Sequence, residues 1–217
     1  MKLFLTSTGL PKETRQFFLE LLDKNPEECK VAFIPTAGDT EKDKWFIGVA
    51  RSELEEMRFT VKDIDLKKET LISLKKKLAD CDVIYVNGGN TFYLLDWIRK
   101  SGFNEIIKKI LNKDRVYVGV SAGSIIACPN IEPAGWKHAD RNIVKLKDLS
   151  GMNLVPFLIT PHYKETYREV VEKAAKNMKY PIVALNDKQA ILIDGKIARI
   201  VGKGKKIFFN GFEETYS

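Results

Sequence analysis

The sequence contains few of the residues that form crosslinks, metal sites and membrane anchors. Its three cysteines, Cys29, Cys81 and Cys128, are odd in number and widely spaced, which argues against a disulfide framework and a structural zinc site. No apolar run approaches the ~20 residues that a membrane-spanning helix requires. The apolar stretch at the N-terminus is too short for a secretory signal peptide. We therefore expect a cytoplasmic protein that does not associate with a membrane and that binds no metal ion or other cofactor.

The chain also lacks internal repeats, low-complexity linkers and a clustered basic region. Its 217 residues, 44% of them hydrophobic, suit one domain spanning residues 1–217 with a sizeable core. The net charge is +7, but the lysines are spread among acidic residues, without an arginine cluster or an interleaved aromatic ladder. This pattern favours a solvated, lysine-rich surface over a nucleic-acid interface. A positive field would also attract an acidic substrate.

Short apolar segments alternate with amphipathic segments along most of the chain. This alternation predicts an α/β fold: a doubly wound, mostly parallel sheet with helices on both faces, connected by right-handed crossovers. Strands are expected at residues 2–6, 30–35, 60–66, 83–86, 116–120, 157–160, 182–185, 190–193, 197–201 and 206–209. Helices are expected after Pro11 and at residues 41–57, 68–79, 92–100, 102–112, 122–128 and 164–178. The second helix would bury four side chains, those of Trp45, Phe46, Val49 and Leu54.

The strongest chemical signal in the chain lies between two apolar segments, at residues 116–128. The residues Gly119-Val-Ser-Ala-Gly123 match the G-x-S-x-G nucleophile elbow, in which flanking glycines relieve clashes in a tight strand-to-helix turn. The serine hydroxyl then stands at the sheet edge, where the N–H groups and dipole of a helix N-terminus favour an oxyanion. Ser121 is therefore the candidate nucleophile. A plain strand–helix turn with a capping serine is the alternative interpretation.

A loop with two consecutive glycines follows the fourth predicted strand. Gly88 and Gly89 allow backbone N–H groups to approach a ligand closely. Because the carboxyl ends of parallel strands gather along one edge of a sheet, this loop and Ser121 are expected to face one crevice. We predict that the N–H groups of Gly89 and Ala122 form an oxyanion hole.

The chain has only two histidines, which limits the candidates for the base that a serine nucleophile requires. His162 follows the predicted strand at 157–160 and a proline, so it can reach the same sheet edge as Ser121. His138 lies in a long irregular segment, residues 129–149, which is either functional or a surface excursion. We therefore favour His162 as the base.

The histidine in turn needs a carboxylate that fixes its tautomer and stabilises the imidazolium. Asp140 in the irregular segment would give the chain order Ser–Asp–His, and Asp187 after the next strand would give Ser–His–Asp. Triads occur in several chain orders, so order does not decide between them. The structural alternatives are a solvated loop charge for Asp140 and a turn-forming Asn-Asp pair for Asp187.

Four separate motifs resemble one family of serine peptidases over nearly the whole chain. They are Asn87-Gly-Gly-Asn-Thr-Phe92, Gly119-Val-Ser-Ala-Gly-Ser124, Cys128-Pro129 and Pro161-His162-Tyr163. In this order and spacing they resemble peptidase family S51, which contains dipeptidase E (aspartyl dipeptidase) and cyanophycinase. The resemblance implies a fold related to class I glutamine amidotransferases, with a serine in place of their nucleophilic cysteine.

The resemblance also implies roles for the candidate site residues. Ser121 would be the nucleophile, His162 the base, and the glycine pair would supply the oxyanion hole. The dipeptidases have an aspartate between the serine and the histidine, which resembles Asp140 here. In the cyanophycinases the acid follows the histidine by one helix and one strand, a position that resembles that of Asp187. Because the size and motifs of the chain are more similar to the dipeptidases, Asp140 is slightly preferred.

The activity that the resemblance implies is release of N-terminal aspartate from small peptides, which requires a cation for the substrate carboxylate. Glu165-Thr-Tyr-Arg168 resembles the Glu-Thr-Arg run of the dipeptidases, with the arginine displaced by one residue, about 100° on a helix. Asn90 and Thr91 would also contact substrate. We expect a metal-independent serine dipeptidase for short acidic peptides, as a monomer or homodimer. The alternatives are a hydrolase of different peptide specificity and a non-catalytic member of the same fold.

Overall fold

The computed structural model describes residues 1–137 and 140–215, in which strands and helices alternate along most of the chain. The strands are β1 (Lys2–Thr6), β2 (Lys30–Ile34), β3 (Thr60–Asp63), β4 (Val83–Val86), β5 (Val116–Val120), β6 (Leu158–Thr160), β7 (Ile182–Ala184), β8 (Gln189–Asp194), β9 (Ile197–Gly202) and β10 (Ile207–Phe209). The helices are α1 (Lys12–Leu19), α2 (Trp45–Glu56), α3 (Leu71–Ala79), α4 (Thr91–Lys100), α5 (Phe103–Leu111), α6 (Ala122–Ile125) and α7 (Arg168–Ala175).

The main sheet has the strand order β3-β2-β4-β5-β1-β8-β9. Strands β3, β2, β4, β5 and β1 are parallel to their neighbours, while β8 and β9 add an antiparallel hairpin at one edge. Every residue of β4 and β5 is buried, as apolar runs without alternation predict for strands covered on both faces. The pairing of Val86 with Gly119 brings the loops that follow β4 and β5 together at the carboxyl edge of the sheet.

Helices cover both faces of the main sheet. On one face, α1 and α2 contribute Phe18 and Leu54 to the core. On the other face, α3, α4 and α5 contribute Leu74, Ile98 and Ile107. This arrangement confirms the predicted α/β fold with a mostly parallel sheet. Within the described residues, no helix combines the length and the apolar character needed to cross a bilayer.

A second, smaller sheet has the strand order β10-β7-β6. Strand β6 runs parallel to β7, with Thr160 opposite Ala184, and β10 is antiparallel to β7. The chain segments that leave β6 and β7 therefore start side by side, and the backbone N–H of Tyr163 donates to the carbonyl oxygen of Leu185 at 2.8 Å. The edge strand predicted near residues 206–209 is present as β10, in this second sheet.

Helix α2 differs from the prediction at its N-terminus and in the residues that it buries. It begins at Trp45 because Thr36–Thr40 forms a 3-10 turn and the chain remains irregular up to Lys44. The prediction that Trp45 and Val49 are buried is wrong: they are 67% and 47% exposed. The two side chains line a cavity, described below, instead of packing in the core.

Candidate active site

Ser121 sits in a strained turn between β5 and α6. Its backbone has φ 49° and ψ −106°, a conformation that non-glycine residues rarely adopt and that the surrounding structure must hold in place. Its N–H donates to the carbonyl oxygen of Thr6 at 2.9 Å, which ties the turn to the neighbouring strand β1. The result is a serine fixed at the carboxyl edge of the sheet, as the G-x-S-x-G motif predicts.

The helix after the serine packs so closely on the sheet that it tolerates no side chain at Gly123. A Cβ atom there would lie 2.1 Å from the carbonyl oxygen of Val86. The single hydroxyl proton of Ser124 strengthens the same junction, because it is shared between the carbonyl oxygens of Gly119, 2.7 Å from Oγ, and Thr6, 2.8 Å from Oγ. Helix α6 ends at Ile125, so the helix predicted to reach residue 128 is limited to this short segment.

His162 is brought to this edge by the second sheet. It directly follows Pro161 at the end of β6 and has a positive φ of 55°, which histidine adopts more readily than most residues. Its backbone N–H donates to the hydroxyl of Ser7 at 3.0 Å, and that hydroxyl donates to the carbonyl oxygen of Leu185 at 3.0 Å. The loop after β1 therefore links His162 to the strand that precedes Asp187.

The imidazole of His162 bridges a hydroxyl and a carboxylate. Its Nε2 lies 3.0 Å from the Oγ of Ser121, and its Nδ1 lies 2.7 Å from Oδ1 of Asp187. Because an ionised carboxylate only accepts, Nδ1 carries the proton and Nε2 is left to accept from the serine hydroxyl. The hydrogen bond with His162 also lowers the pKa of the Asp187 carboxyl. This network assigns the tautomer needed for a base at Ser121.

The preference for Asp140 as the partner of His162 is corrected by this geometry, because Asp187 occupies Nδ1. The Oδ2 atom of Asp140 instead accepts the backbone N–H of Thr91 at 2.7 Å, at the start of α4. Burial raises the pKa of the Asp140 carboxyl, and the Thr91 N–H offsets part of that rise. The physical reason is the pairing of β6 with β7, which places the segment after β7, not the irregular segment, beside the imidazole.

The glycine loop after β4 lies against the serine turn. A Cβ on Gly88 would lie 3.3 Å from the Cβ of Ser121, and Gly89 has a φ of 134° that favours glycine. A Cβ on Gly89 would also lie 2.3 Å from the backbone of Ala37. Within the described residues, no hydrogen bond uses the N–H of Gly89 or Ala122. These two donors are therefore free to bind a ligand oxygen beside Ser121.

Ser121 and His162 line a cavity of about 540 Å³ that extends over the edge of the sheet to both faces. On the face that carries α2, the lining combines the carboxylates of Glu41 and Glu53 with four apolar side chains. We call these four the apolar arm: Trp45, Phe46, Val49 and Ala50. On the other face the lining comes from α4 and the irregular segment, and we call it the charged arm: Thr91, Pro133, Ala134, Lys137 and Asp140.

Lys137 is a site residue that the sequence interpretation missed. Its Nζ donates to the carbonyl oxygen of Pro161, next to His162, and lies 5.9 Å from the ring centre of Tyr167. Burial lowers the pKa of its ammonium group to about 8, against a smaller opposing effect of Asp187. The irregular segment gave no periodic signal for this position. A lysine near a predicted site was the only clue.

Two of the three predicted substrate contacts, Arg168 and Asn90, are absent from the described lining of the cavity. Arg168 forms ion pairs with Glu165 and Glu172 and does not line the cavity. Asn90 uses its side chain in the fold: Oδ1 accepts from the N–H of Tyr93 at 2.9 Å, and Nδ2 donates to a backbone carbonyl at 3.0 Å. Thr91 does line the cavity.

The second histidine of the chain, His138, lies outside the described residues. The preference for His162 as the base therefore rests on its own position, in direct contact with Ser121. Taken together, the elbow serine, a histidine within hydrogen-bond distance and an aspartate on its far nitrogen form the arrangement found in serine hydrolases. The α/β fold carries this arrangement at the carboxyl edge of its main sheet.

Comparison with known proteins gives the family. Residues 3–201 match the model of peptidase family S51. An uncharacterized peptidase of Listeria monocytogenes is 34% identical over 200 residues, covering 89% of this chain and 95% of the relative. One from Pasteurella multocida is 32% identical over 209 residues, covering 94% and 99%. A protein named Peptidase E from Shewanella denitrificans is 27% identical over 207 residues, covering 91% and 84%.

Solved structures agree with this result. The crystal structure of a candidate Peptidase E protein from Listeria monocytogenes superimposes with a TM-score of 0.81 at 30% identity, covering 94% of this chain and 98% of that one. A peptidase from an acI-B1 Actinobacterium shares the fold, with a TM-score of 0.72 at 14% identity and coverage of 99% and 96%. The chain belongs to peptidase family S51, and its class of activity is therefore that of a peptidase.

Proposed function

We propose that the protein is a serine peptidase that releases N-terminal aspartate from dipeptides and other short peptides, through an acyl-enzyme on Ser121. The observation that carries this proposal is the double contact of His162, 3.0 Å from the Ser121 hydroxyl and 2.7 Å from Asp187. A serine hydroxyl is a weak nucleophile until a base takes its proton. In the proposed mechanism His162 takes this proton, and Asp187 stabilises the imidazolium that results.

Acylation follows from these contacts. The Oγ of Ser121 attacks the carbonyl carbon of the peptide bond while its proton passes to Nε2 of His162. The carbonyl oxygen becomes an oxyanion, which accepts hydrogen bonds from the N–H groups of Gly89 and Ala122. When the carbon–nitrogen bond breaks, His162 returns the proton to the leaving amine. The acyl group remains on Ser121 as an ester, and the rest of the peptide leaves with a free amino group.

Deacylation repeats these steps with water as the nucleophile. His162 takes a proton from the water molecule that attacks the ester, and the same two N–H groups stabilise the second oxyanion. The proton then returns from His162 to the Oγ of Ser121 as the acid is released. His162 thus mediates every proton transfer of the two half-reactions.

The choice of a short acidic substrate rests on the cavity and on the motifs of the chain. A cavity of about 540 Å³ falls within the usual range for small-molecule sites, roughly 300–1,000 Å³. Its walls combine a cation, Lys137, with the apolar arm. An N-terminal aspartate followed by an apolar residue would complement both walls. The resemblance of the four motifs to aspartyl dipeptidases supports the same substrate.

A panel of dipeptides tests this proposal. We expect hydrolysis of Asp-Leu to exceed that of Asn-Leu and Leu-Leu, because a charge-assisted hydrogen bond to the side-chain carboxylate contributes about 1.5–3 kcal/mol. Hydrolysis of Glu-Leu should also be slower, because its carboxylate stands one methylene further from the peptide bond. The measurement is kcat/KM for each dipeptide, by quantifying the released amino acid. Cleavage of all four at similar rates would keep the peptidase chemistry and reject the specificity. Cleavage of none by the wild type would contradict the proposed function itself.

A further inference from the structure

The charged arm of the cavity contains two opposite charges that do not pair with each other. Among the described residues that line the cavity, Lys137 is the only lysine or arginine. Asp140 lies three residues further along the same segment and faces the same cavity. Within the described part of the chain, neither side chain forms an ion pair, since Lys137 contacts the carbonyl of Pro161 and Asp140 contacts the N–H of Thr91.

Burying an unpaired charge is unfavourable unless hydrogen bonds or an opposite charge compensate for it. The pKa values of both groups shift in the direction expected for this situation: burial lowers that of Lys137 to about 8 and raises that of Asp140. Each group keeps one hydrogen bond to the backbone and has capacity for more. A ligand that carries both a carboxylate and an ammonium group would give each charge the partner that it lacks.

We propose that Lys137 and Asp140 together recognise an N-terminal acidic residue, with Lys137 binding its side-chain carboxylate and Asp140 binding its α-ammonium group. This assignment rests on the proposed function, because it names the substrate groups that the charged arm holds while Ser121 reacts. In an aspartyl residue the two groups are attached to adjacent carbon atoms. The two groups are thus close together in the substrate, and their proposed partners, Lys137 and Asp140, both line the charged arm.

The other charged residues near the cavity fit these roles less well. Glu41 stands shortly before α2 and Glu53 lies on it, in the wall opposite the charged arm. Oε2 of Glu53 also accepts the backbone N–H of Leu10 at 2.9 Å. Arg168, the residue that the motifs suggested as the cation, is held by Glu165 and Glu172 outside the cavity. Asp187 is already bound to His162. Lys137 and Asp140 are thus the pair that the cavity offers.

The contribution of Lys137 is tested by its replacement with methionine, which keeps an unbranched apolar stem suited to a buried position. We expect K137M to lower kcat/KM for Asp-Leu by about 10- to 100-fold, with little change for Asn-Leu, which has the same shape without the charge. K137R should retain part of the preference. The matched control is K164M, which removes an exposed lysine that also acts on Asp187 from outside the cavity.

The contribution of Asp140 is tested by its replacement with asparagine, which keeps an acceptor for the Thr91 N–H and removes only the charge. We expect D140N to lower kcat/KM for Asp-Leu by about 10- to 100-fold. N-acetyl-Asp-Leu, which has no ammonium group, should be a poor substrate of the wild type. Its kcat/KM should fall much less in D140N than that of Asp-Leu. The ratio between the free and the acetylated substrate should therefore fall by a similar factor.

Two results would overturn this assignment. One is an equal loss on Asp-Leu and Asn-Leu in K137M, which would mean that Lys137 acts through the His162–Asp187 pair. The other is an unchanged ratio between free and acetylated substrate in D140N. Calorimetry of Asp-Leu binding to S121A, with and without K137M or D140N, separates failure of this assignment from failure of the proposed function. Weaker binding in both double variants supports recognition even without turnover, and unchanged binding rejects it.

Discussion

Replacement of Ser121 by alanine should reduce kcat/KM for Asp-Leu by about 10⁴- to 10⁶-fold, the range lost when a catalytic serine is removed from a triad. The variant keeps the strained turn, because the hydrogen bonds that hold it use the backbone N–H of residue 121 and the hydroxyl of Ser124. The loss would therefore report the missing Oγ. Turnover of purified protein, followed by release of aspartate, measures it.

The matched control for this variant is Ser52→Ala, which removes an exposed hydroxyl from helix α2. It should leave kcat/KM unchanged. Thermal unfolding of both variants should resemble that of the wild type, since neither substitution removes a buried hydrogen bond that holds the fold. If S121A hydrolysed Asp-Leu at the wild-type rate, the acyl-enzyme mechanism would be wrong, whatever the substrate preference.

The second large effect is expected at Asp187. Changing it to asparagine should lower kcat by about 10³- to 10⁴-fold, because an amide can donate to Nδ1 of His162 and so leave the proton on Nε2. That tautomer cannot accept the proton of Ser121. A loss of this size corresponds to about 4–5.5 kcal/mol of transition-state stabilisation. It should appear in kcat for every substrate, with KM affected much less.

The comparison of D187N with D140N separates the two acids that the sequence left open. D187N should slow free and acetylated substrates alike, because it acts on the proton transfer. D140N should act mainly on substrates that carry a free ammonium group. If D140N produced the larger, substrate-independent loss and D187N remained active, the pairing of His162 with Asp187 would not be the catalytic one.

The elbow could be predicted from the sequence because its determinants are local. The strand before Ser121, the glycines around it and the helix after it are consecutive in the chain, and each enforces the same turn. The glycine loop after β4 was likewise predictable, since the carboxyl ends of adjacent parallel strands lie together. His162 was a restricted choice because the chain has only two histidines.

The acid could not be chosen from the sequence, because the choice depends on a long-range pairing. The candidates stand 22 residues before and 25 residues after His162 in the chain, a count that follows from the positions of Asp140 and Asp187. Only the parallel pairing of β6 with β7 decides which one reaches the imidazole. That pairing occurs in a second sheet, and the strand pattern alone does not assign strands to sheets.

The cavity walls were also beyond the reach of sequence patterns. The apolar spacing of Trp45 and Val49 on α2 is the same for a helix that faces a core and for one that faces a substrate cavity. Only the structure, in which both side chains are exposed and line the cavity, separates these cases. The position of Lys137 depends on how an irregular segment folds back to Pro161, for which no periodic signal exists.

Labelling with a serine-directed fluorophosphonate tests the central claim most directly. The reagent forms a stable adduct only with an activated serine, and peptide mapping by mass spectrometry identifies the residue. We expect one adduct, on Ser121, formed rapidly in the wild type, slowly in D187N and not at all in S121A, with loss of hydrolysis in proportion to labelling. Hydrolysis that persists after complete labelling of Ser121, or an adduct on another serine that alone abolishes activity, would contradict the account.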